Sequence, residues 1–110
     1  MLSAPKISVV MPVYNAAPYL KESVDSILNQ TFSDFEFVII DDCSTDESYN
    51  ILKSYAEKNQ RIKLYKNDIN YKQAYTRNIG IKNSRGKYII FMDADDIALP
   101  ERLLKQFEFM

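Results

Sequence analysis

Short apolar runs rich in β-branched residues alternate along this chain with segments that favour helices. The runs have the length and composition of buried strands and cover residues 7–11, 35–40, 62–65 and 88–92. Helices are predicted over residues 16–29, 44–58 and 72–82 and again from residue 99. This alternation predicts an α/β fold with a mainly parallel sheet.

Local signals predict where these elements begin and end. Pro12 is expected to stop the first strand, because proline has no N–H to donate to a sheet. Asn15 is a favourable N-cap for the first helix. Ser44, with Glu47 three residues later, matches the capping box that opens the second helix, and Pro100 suits the first position of the last one.

Polar side chains follow three of the predicted strands at the point where each strand ends. They are Tyr14-Asn15 after the first strand, Asp41-Asp42 after the second, and Asp93 to Asp96 after the fourth. Parallel α/β sheets bind ligands outside the carboxyl ends of their strands. The sequence therefore predicts a binding site at this edge of the sheet.

Composition excludes several classes of function. A formal net charge of −1 provides no basic surface for nucleic acid. The chain has no histidine and only two glycines, so it lacks a Ser-His-Asp triad, an imidazole metal ligand and a glycine-rich phosphate loop. Cys43 is the single cysteine, which precludes an internal disulfide and favours a reducing cytoplasm.

The acidic turn after the fourth strand has two interpretations. Asp93, Asp95 and Asp96 bring like charges together, which is unfavourable unless a cation offsets them. Oxygen ligands favour Mg²⁺ or Mn²⁺, and such an ion bridging a diphosphate would stabilise a leaving group. The alternative is a solvated acidic turn in which an aspartate caps the next helix.

The other polar residues at this edge also have alternatives. Asp41 and Asp42 either accept hydrogen bonds from a uracil ring or a ribose, or form an Asx-turn. Arg77 either pairs with a nucleotide phosphate or is an ordinary surface arginine. Tyr14 either stacks on a base or packs beside Pro12.

Several segments resemble motifs of family 2 glycosyltransferases, in order and over nearly the whole chain. Residues 7–15 resemble the opening P-x-Y-N strand and turn, and residues 26–31 resemble the S-I-L-x-Q-T that ends the first helix. Residues 41–46 are similar to D-D-x-S-x-D, residues 77–80 to A-R-N-x-G, and residues 86–96 to G-x-Y-I-x-F-L-D-x-D-D. Thr76 departs from the usual alanine, and residues 71–75 lack a glycine that is common there.

The resemblance implies the GT-A fold, a Rossmann-like three-layer α/β sandwich. It also implies inverting sugar transfer from a nucleotide diphosphate donor, usually a UDP-sugar, to a saccharide or lipid-linked acceptor. In that scheme Pro12 and Tyr14 line the base pocket, Asp42 contacts uracil, and Asp93 approaches the ribose. The implied nucleotide-sugar-binding residues are Pro12, Tyr14, Asn15, Asp41, Asp42, Arg77, Asp93 and Ala94, and the implied ligands of Mn²⁺ or Mg²⁺ are Asp95 and Asp96.

The chain ends on Phe107, Phe109 and Met110 within an amphipathic helix. We therefore expect residues 1–110 to be the N-terminal, nucleotide-sugar-binding part of a longer domain whose acceptor site and catalytic base follow. Alone, this part should be inactive, and its open sheet edge and exposed last helix favour self-association.

Three other classes of protein share features with this sequence. A receiver-type signalling domain requires acids after its first strand, where this chain has Tyr14 and Asn15. An aspartate-nucleophile phosphatase requires its D-x-D after the first strand, whereas here it follows the fourth. A non-catalytic nucleotide-sugar-binding module has the same motifs as an enzyme and stays open at this point.

Overall fold

The computed structural model describes residues 4–109 of the chain. The strands are β1 (Ile7–Val13), β2 (Phe35–Asp41), β3 (Ile62–Lys66) and β4 (Tyr88–Phe91). The helices are α1 (Ala17–Leu28), α2 (Ser48–Lys58), α3 (Lys72–Lys82) and α4 (Arg102–Glu108). Strands and helices alternate, as the sequence predicts.

The four strands form a fully parallel sheet in the order β3-β2-β1-β4. Every residue of β1 and β2 is buried, because helices cover both faces of the sheet. On one face, Val9 and Met11 of β1 pack in a core that includes α1, α2 and α4. On the other face, Val10 packs with Val38, Ile40 and the α3 residue Ile79. The predicted three-layer α/β sandwich is therefore confirmed.

Helix α3 lies very close to the sheet at Gly80. A Cβ atom built on Gly80 would overlap the Val10 side chain and lie 2.8 Å from Ile40 Cδ1. The absence of a side chain at Gly80 therefore sets how closely α3 approaches β1 and β2.

The prediction that Pro12 stops the first strand is wrong. Strand β1 continues to Val13, and Pro12 pairs with Ile40 of β2. Proline is tolerated there because the last residue of β1 to pair with β4 is Val10. The carbonyl of Val10 faces β4 and accepts the N–H of Met92 at 3.0 Å. Backbone groups two residues apart share a direction, so Pro12 lacks its N–H on a side where no strand is paired.

The predicted caps of α1 and α2 are also wrong, because the loops after β1 and β2 satisfy each other. Asn15 adopts φ 48 and does not cap α1; its Oδ1 accepts the N–H groups of Thr45 at 2.7 Å and Asp46 at 3.3 Å. The N–H of Ala17 donates to Asp46 Oδ2 at 3.2 Å. Ser44 makes no capping box, because its Oγ accepts the N–H of Asn15 at 3.0 Å and α2 begins at Ser48.

At the amino ends of the strands, a buried cluster centred on Glu36 holds the turn before β4. Ser8 Oγ and the N–H of Arg85 both donate to Glu36 Oε2, each at 2.5 Å. The N–H of Gly86 donates to Ser8 Oγ at 2.7 Å. This cluster anchors β4 beside β1 at the edge opposite the predicted site.

Helix α4 begins at Arg102, two residues after Pro100. Gln30 fixes its start, because Gln30 Nε2 donates to the carbonyl of Leu99 at 2.6 Å and Gln30 Oε1 accepts the N–H of Leu103 at 2.9 Å. Phe109 is exposed at the end of α4, and Met110 lies outside the described residues. No helix within residues 4–109 is long and apolar enough to cross a membrane.

Candidate functional site

A cavity of about 520 Å³ opens at the carboxyl ends of the strands. It is formed by the loops after β1, β2 and β4 together with the start of α3. The sequence-predicted site residues that line it are Pro12, Tyr14, Asn15, Asp42, Asp93, Ala94 and Asp95. The predicted grouping of these residues at one edge of the sheet is thus present in the structure.

Backbone conformation is unusual around this cavity. The residues other than glycine with positive φ in residues 4–109 are Asn15 at 48°, Cys43 at 61° and Lys72 at 72°. Each lies in a loop or helix start at the carboxyl edge of the sheet. Such conformations are unfavourable for L-residues and concentrate at functional sites, where surrounding hydrogen bonds enforce them.

The carboxylate of Asp42 organises one wall of the cavity. It is 3% exposed, and its Oδ1 accepts the N–H of Tyr71 at 2.8 Å and the Asn67 side-chain amide at 3.0 Å. Its Oδ2 accepts the N–H of Lys72 at 3.0 Å. Three donors therefore offset the burial of this charge, while Oδ2 keeps capacity for one more donor.

Asp41, in contrast, points away from the cavity. Its side chain is fully buried, and its Oδ2 accepts the N–H of Ser44 at 3.0 Å. Its Oδ1 has no hydrogen-bond partner among the described residues. The role that the structure displays for Asp41 is to shape the turn after β2, and its predicted contact with a nucleotide stays a prediction.

Asp93 and Asp95 line the cavity and form an exposed acidic cluster with Asp96, which is not among the lining residues. One carboxylate oxygen of each lies within 4.8 Å of the others. Because Mg²⁺ holds oxygen ligands at about 2.1 Å, two ligands of one ion lie at most about 4.2 Å apart. The three oxygens lie close to that range, and carboxylates are ligands that hard divalent cations prefer, so the cluster fits such a cation.

Arg77 contacts this cluster from α3 and does not line the cavity. Its Nη2 lies 3.3 Å from Asp93 Oδ1, and its guanidinium lies 5.5 Å from the centre of the Phe91 ring. Gln73 Nε2 also donates to Asp93 Oδ1, at 3.2 Å. Arg77 and Gln73 together orient Asp93, and the phosphate contact that the sequence suggested for Arg77 stays a prediction.

Sequence reasoning missed part of the cavity wall. Tyr19 of α1 lines it, as do Asn70, Lys72 and Gln73 at the start of α3. A signal for the latter group was available, because α3 follows a parallel strand and must begin at the same edge as Asp42. The sequence did not indicate which side chains at that helix start would turn inward.

Comparison with known proteins adds to this geometry. The profile of glycosyl transferase family 2 matches residues 8–110. An uncharacterized glycosyltransferase of Haemophilus influenzae is 42% identical over 109 residues, which cover 99% of this chain and 44% of that protein.

Solved structures with the same architecture contain nucleotides. S. aureus TarS 1-349 in complex with UDP matches with a TM-score of 0.86 and 34% identity, over 94% of this chain and 31% of that one. The complex of TarS 1-349 with UDP-GlcNAc matches with a TM-score of 0.87 at the same identity, over 94% of this chain and 30% of that one. The mannosyltransferase PcManGT from Pyrobaculum calidifontis, in complex with GDP-Man and Mn²⁺, matches with a TM-score of 0.83 and 25% identity, over 93% of this chain and 31% of that one.

The parallel sheet, its three layers and these similarities define a GT-A fold of the kind that nucleotide-sugar transferases have. The chain belongs to glycosyl transferase family 2, which confirms the resemblance found in its motifs. The receiver and phosphatase alternatives are thereby excluded. The chain spans less than half the length of the H. influenzae relative and about a third of the two solved chains.

Proposed function

We propose that the protein containing this chain transfers a sugar from a nucleotide diphosphate donor, and that the cavity at the carboxyl edge of the sheet binds this donor. The observation that carries the proposal is the position of Asp42 and the acidic cluster on one cavity. A hydrogen-bond acceptor for a base and a site for a cation on a diphosphate are the two features that such a donor requires.

The base end of the donor lies against Pro12, Tyr14 and Asp42 in this proposal. Among residues 4–109, Asp42 Oδ2 accepts one hydrogen bond, from the N–H of Lys72, and in this proposal it accepts the imide N–H of uracil as a second. A guanine base also presents N–H donors to a carboxylate. The TarS complexes support a uridine nucleotide, and the PcManGT complex supports the wider class that includes guanosine nucleotides.

The diphosphate end of the donor lies against Asp93, Asp95 and Asp96. Mn²⁺ or Mg²⁺ bound there would neutralise negative charge on the departing nucleoside diphosphate. Arg77 and Gln73 keep Asp93 in place for this task.

The transfer itself is an inverting displacement at the anomeric carbon of the donor. A hydroxyl of a saccharide or lipid-linked acceptor forms the new C–O bond, the bond to the diphosphate breaks, and a base takes the hydroxyl proton. In this proposal residues 4–109 bind the donor, and we assign the role of the base to no residue among them. We therefore propose that residues 1–110 alone bind the donor without transferring its sugar.

Calorimetric titration tests this proposal with matched variants. UDP and GDP are titrated into the whole protein with Mn²⁺ or with a chelator, for the wild type, Asp95→Asn and Asp34→Asn. We expect Mn²⁺-dependent binding of one nucleotide, weakened about tenfold or more by Asp95→Asn. Asp34 is exposed at the opposite edge of the sheet, so Asp34→Asn should bind like the wild type.

The same titrations define failure of the proposal. A folded wild-type protein that binds neither UDP nor GDP with Mn²⁺ would contradict donor binding at this cavity. If the nucleotide binds but the whole protein neither transfers nor hydrolyses the sugar of any matching donor, the chain is a nucleotide-sugar-binding module and not part of an enzyme.

A further inference from the structure

Lys72 combines a strained backbone with a side chain at the cavity. Its φ of 72° lies in the left-handed region, which glycine adopts readily and lysine does not. The Lys72 N–H donates to Asp42 Oδ2 at 3.0 Å and to Asn70 Oδ1 at 2.9 Å, so two acceptors hold the backbone in place. A glycine at this position would satisfy the same two hydrogen bonds without the strain.

The ammonium group of Lys72 is available to a ligand. Lys72 is exposed and is the only lysine or arginine among the residues that line the cavity. No carboxylate in residues 4–109 lies within ion-pair distance of its Nζ. Arg77, the other cation nearby, already pairs with Asp93 and lies outside the cavity lining.

Apart from Lys72, the described residues that line the cavity offer no cationic side chain to a phosphate. Both glycines lie away from it, at the end of α3 and before β4, so no glycine-rich backbone cradle surrounds the site. The charged side chains that line it besides Lys72 are the carboxylates of Asp42, Asp93 and Asp95. Lysine is a point charge with three donors and binds phosphate oxygens well.

The geometry points to Lys72 as the residue whose ammonium binds the diphosphate of the nucleotide donor, an inference that rests on the proposed function. Lys72 contacts phosphate directly, whereas Arg77 acts through Asp93. The helix start carries a lysine despite its backbone strain because the side chain serves the ligand.

Three substitutions at this position separate charge from strain. Lys72→Met removes the charge at similar length, Lys72→Arg keeps a cation, and Lys72→Gly removes both the charge and the strain. Lys82→Met, at the exposed far end of α3, is the matched control. Each variant of the whole protein is titrated, with Mn²⁺ present, with the nucleoside diphosphate that the wild type binds and with the corresponding nucleoside.

Loss of a charge-assisted hydrogen bond should weaken diphosphate binding by about 10- to 100-fold in Lys72→Met and Lys72→Gly. Nucleoside binding should stay unchanged, and Lys72→Arg and Lys82→Met should bind like the wild type. Lys72→Gly should also unfold at a higher temperature than Lys72→Met, which shows that its loss of affinity is not a loss of folding.

Two results would overturn the inference in distinguishable ways. If the wild type binds the diphosphate and Lys72→Met binds it equally well, the inference fails and the proposed function stands. If the folded wild type binds no nucleotide at all, the proposed function fails and the inference fails with it.

Discussion

The carboxylate of Asp42 accepts the backbone N–H of Lys72 at 3.0 Å, which joins the end of β2 directly to the first residue of α3. The same carboxylate accepts the N–H of Tyr71 and the side-chain amide of Asn67. Asp42 thus helps to hold the segment between β3 and α3 against the sheet, together with the carbonyl of Asp41, which accepts the N–H of Asn67 at 2.8 Å, and Cys43 Sγ, which donates to the carbonyl of Asp68 at 3.4 Å. Asn70 of that segment and Lys72 and Gln73 at the start of α3 line the cavity, so the shape of the wall depends on Asp42.

Asp42→Ala should therefore loosen the cavity wall as well as remove a ligand contact. It leaves the N–H of Tyr71 without its acceptor and the N–H of Lys72 with Asn70 Oδ1 alone, and we expect a loss of about 2 kcal/mol in the free energy of unfolding. Hydrogen exchange should accelerate at both amides. Asp68→Asn, an exposed acid in the same segment, is the control. Unchanged protection of the two amides in Asp42→Ala would show that other contacts hold the segment.

Asp46 should stabilise the fold in a pH-dependent way. Desolvation favours a higher pKa for the carboxyl of this exposed residue, but hydrogen bonds from Ser48 and Ala17 outweigh that effect and lower the pKa below its usual value of 3.8. A lowered pKa means that the stabilisation is present above about pH 4 and is lost as pH falls through the folded-state pKa. Urea unfolding should show that Asp46→Asn is less stable than the wild type at about pH 6, and the difference in the free energy of unfolding should narrow in acid. A gap of constant size from about pH 6 to about pH 3 would contradict this assignment.

Tyr55 should stabilise the fold with the opposite pH dependence, at high pH. Its hydroxyl donates to Asp25 Oδ1 at 2.7 Å. Burial, followed by the hydrogen bond and the charge of Asp25, raises the pKa of Tyr55 to about 12 from a usual value of 10.0. The unfolded phenol ionises first, so the stabilisation is present below about pH 10 and is lost as pH rises toward about 12.

Tyr55→Phe should remove this loss of stability at alkaline pH. The stability gap between wild type and Tyr55→Phe should be constant up to about pH 10 and then shrink. Ultraviolet titration of the phenolate in Asp25→Asn should show Tyr55 ionising at a lower pH than in the wild type. Identical titration curves for Asp25→Asn and the wild type would show that Asp25 does not raise the pKa of Tyr55.

Gly80→Ala should destabilise the protein even though alanine favours helices. The added methyl group meets Val10 and Ile40 across the tight contact between α3 and the sheet. Overpacking of this kind costs about 1–3 kcal/mol, which exceeds the gain of about 1 kcal/mol in helix propensity at its upper end. A double-mutant cycle with Val10→Ala measures the clash, because the smaller residue makes room for the methyl group. Additive losses in the double mutant would show that Val10 is not what the methyl group meets.

Apolar runs and turn signals predict most of the elements, because both are local properties of the chain. The predicted bounds of α3, Lys72 and Lys82, agree with the structure, and the cores of the strands agree as well. The predictions of the helix caps were wrong because the hydrogen-bond partners are distant in the sequence. Ala17 and Asp46 are separated by 29 residues, and no local pattern indicates that the second loop satisfies the first helix. The prediction for Pro12 was wrong because a strand tolerates proline where its neighbouring strand has stopped pairing, and the sequence does not show where that is.

The position of the site followed from topology, whereas the role of each side chain did not. Parallel strands bring Tyr14, Asp42 and Asp93 to one edge in any such fold. Asp41 and Asp42 are adjacent and identical, and only the structure shows that Asp41 turns into the core while Asp42 faces the cavity. The sequence did not indicate Lys72 as a site residue, because its position at the cavity depends on a positive φ that lysine seldom adopts.

The unequal strand ends give the cavity its depth. Strand β1 stops pairing with β4 at Val10 and continues through Pro12 to Val13, which leaves a notch about 10 Å long at roughly 3.3 Å per residue. Proline in that notch offers no N–H to an incoming strand, so the gap is not readily closed by further pairing. One wall of the opening is therefore the end of a strand that stays paired with β2, whereas the loops after β1, β2 and β4 form the rest of it.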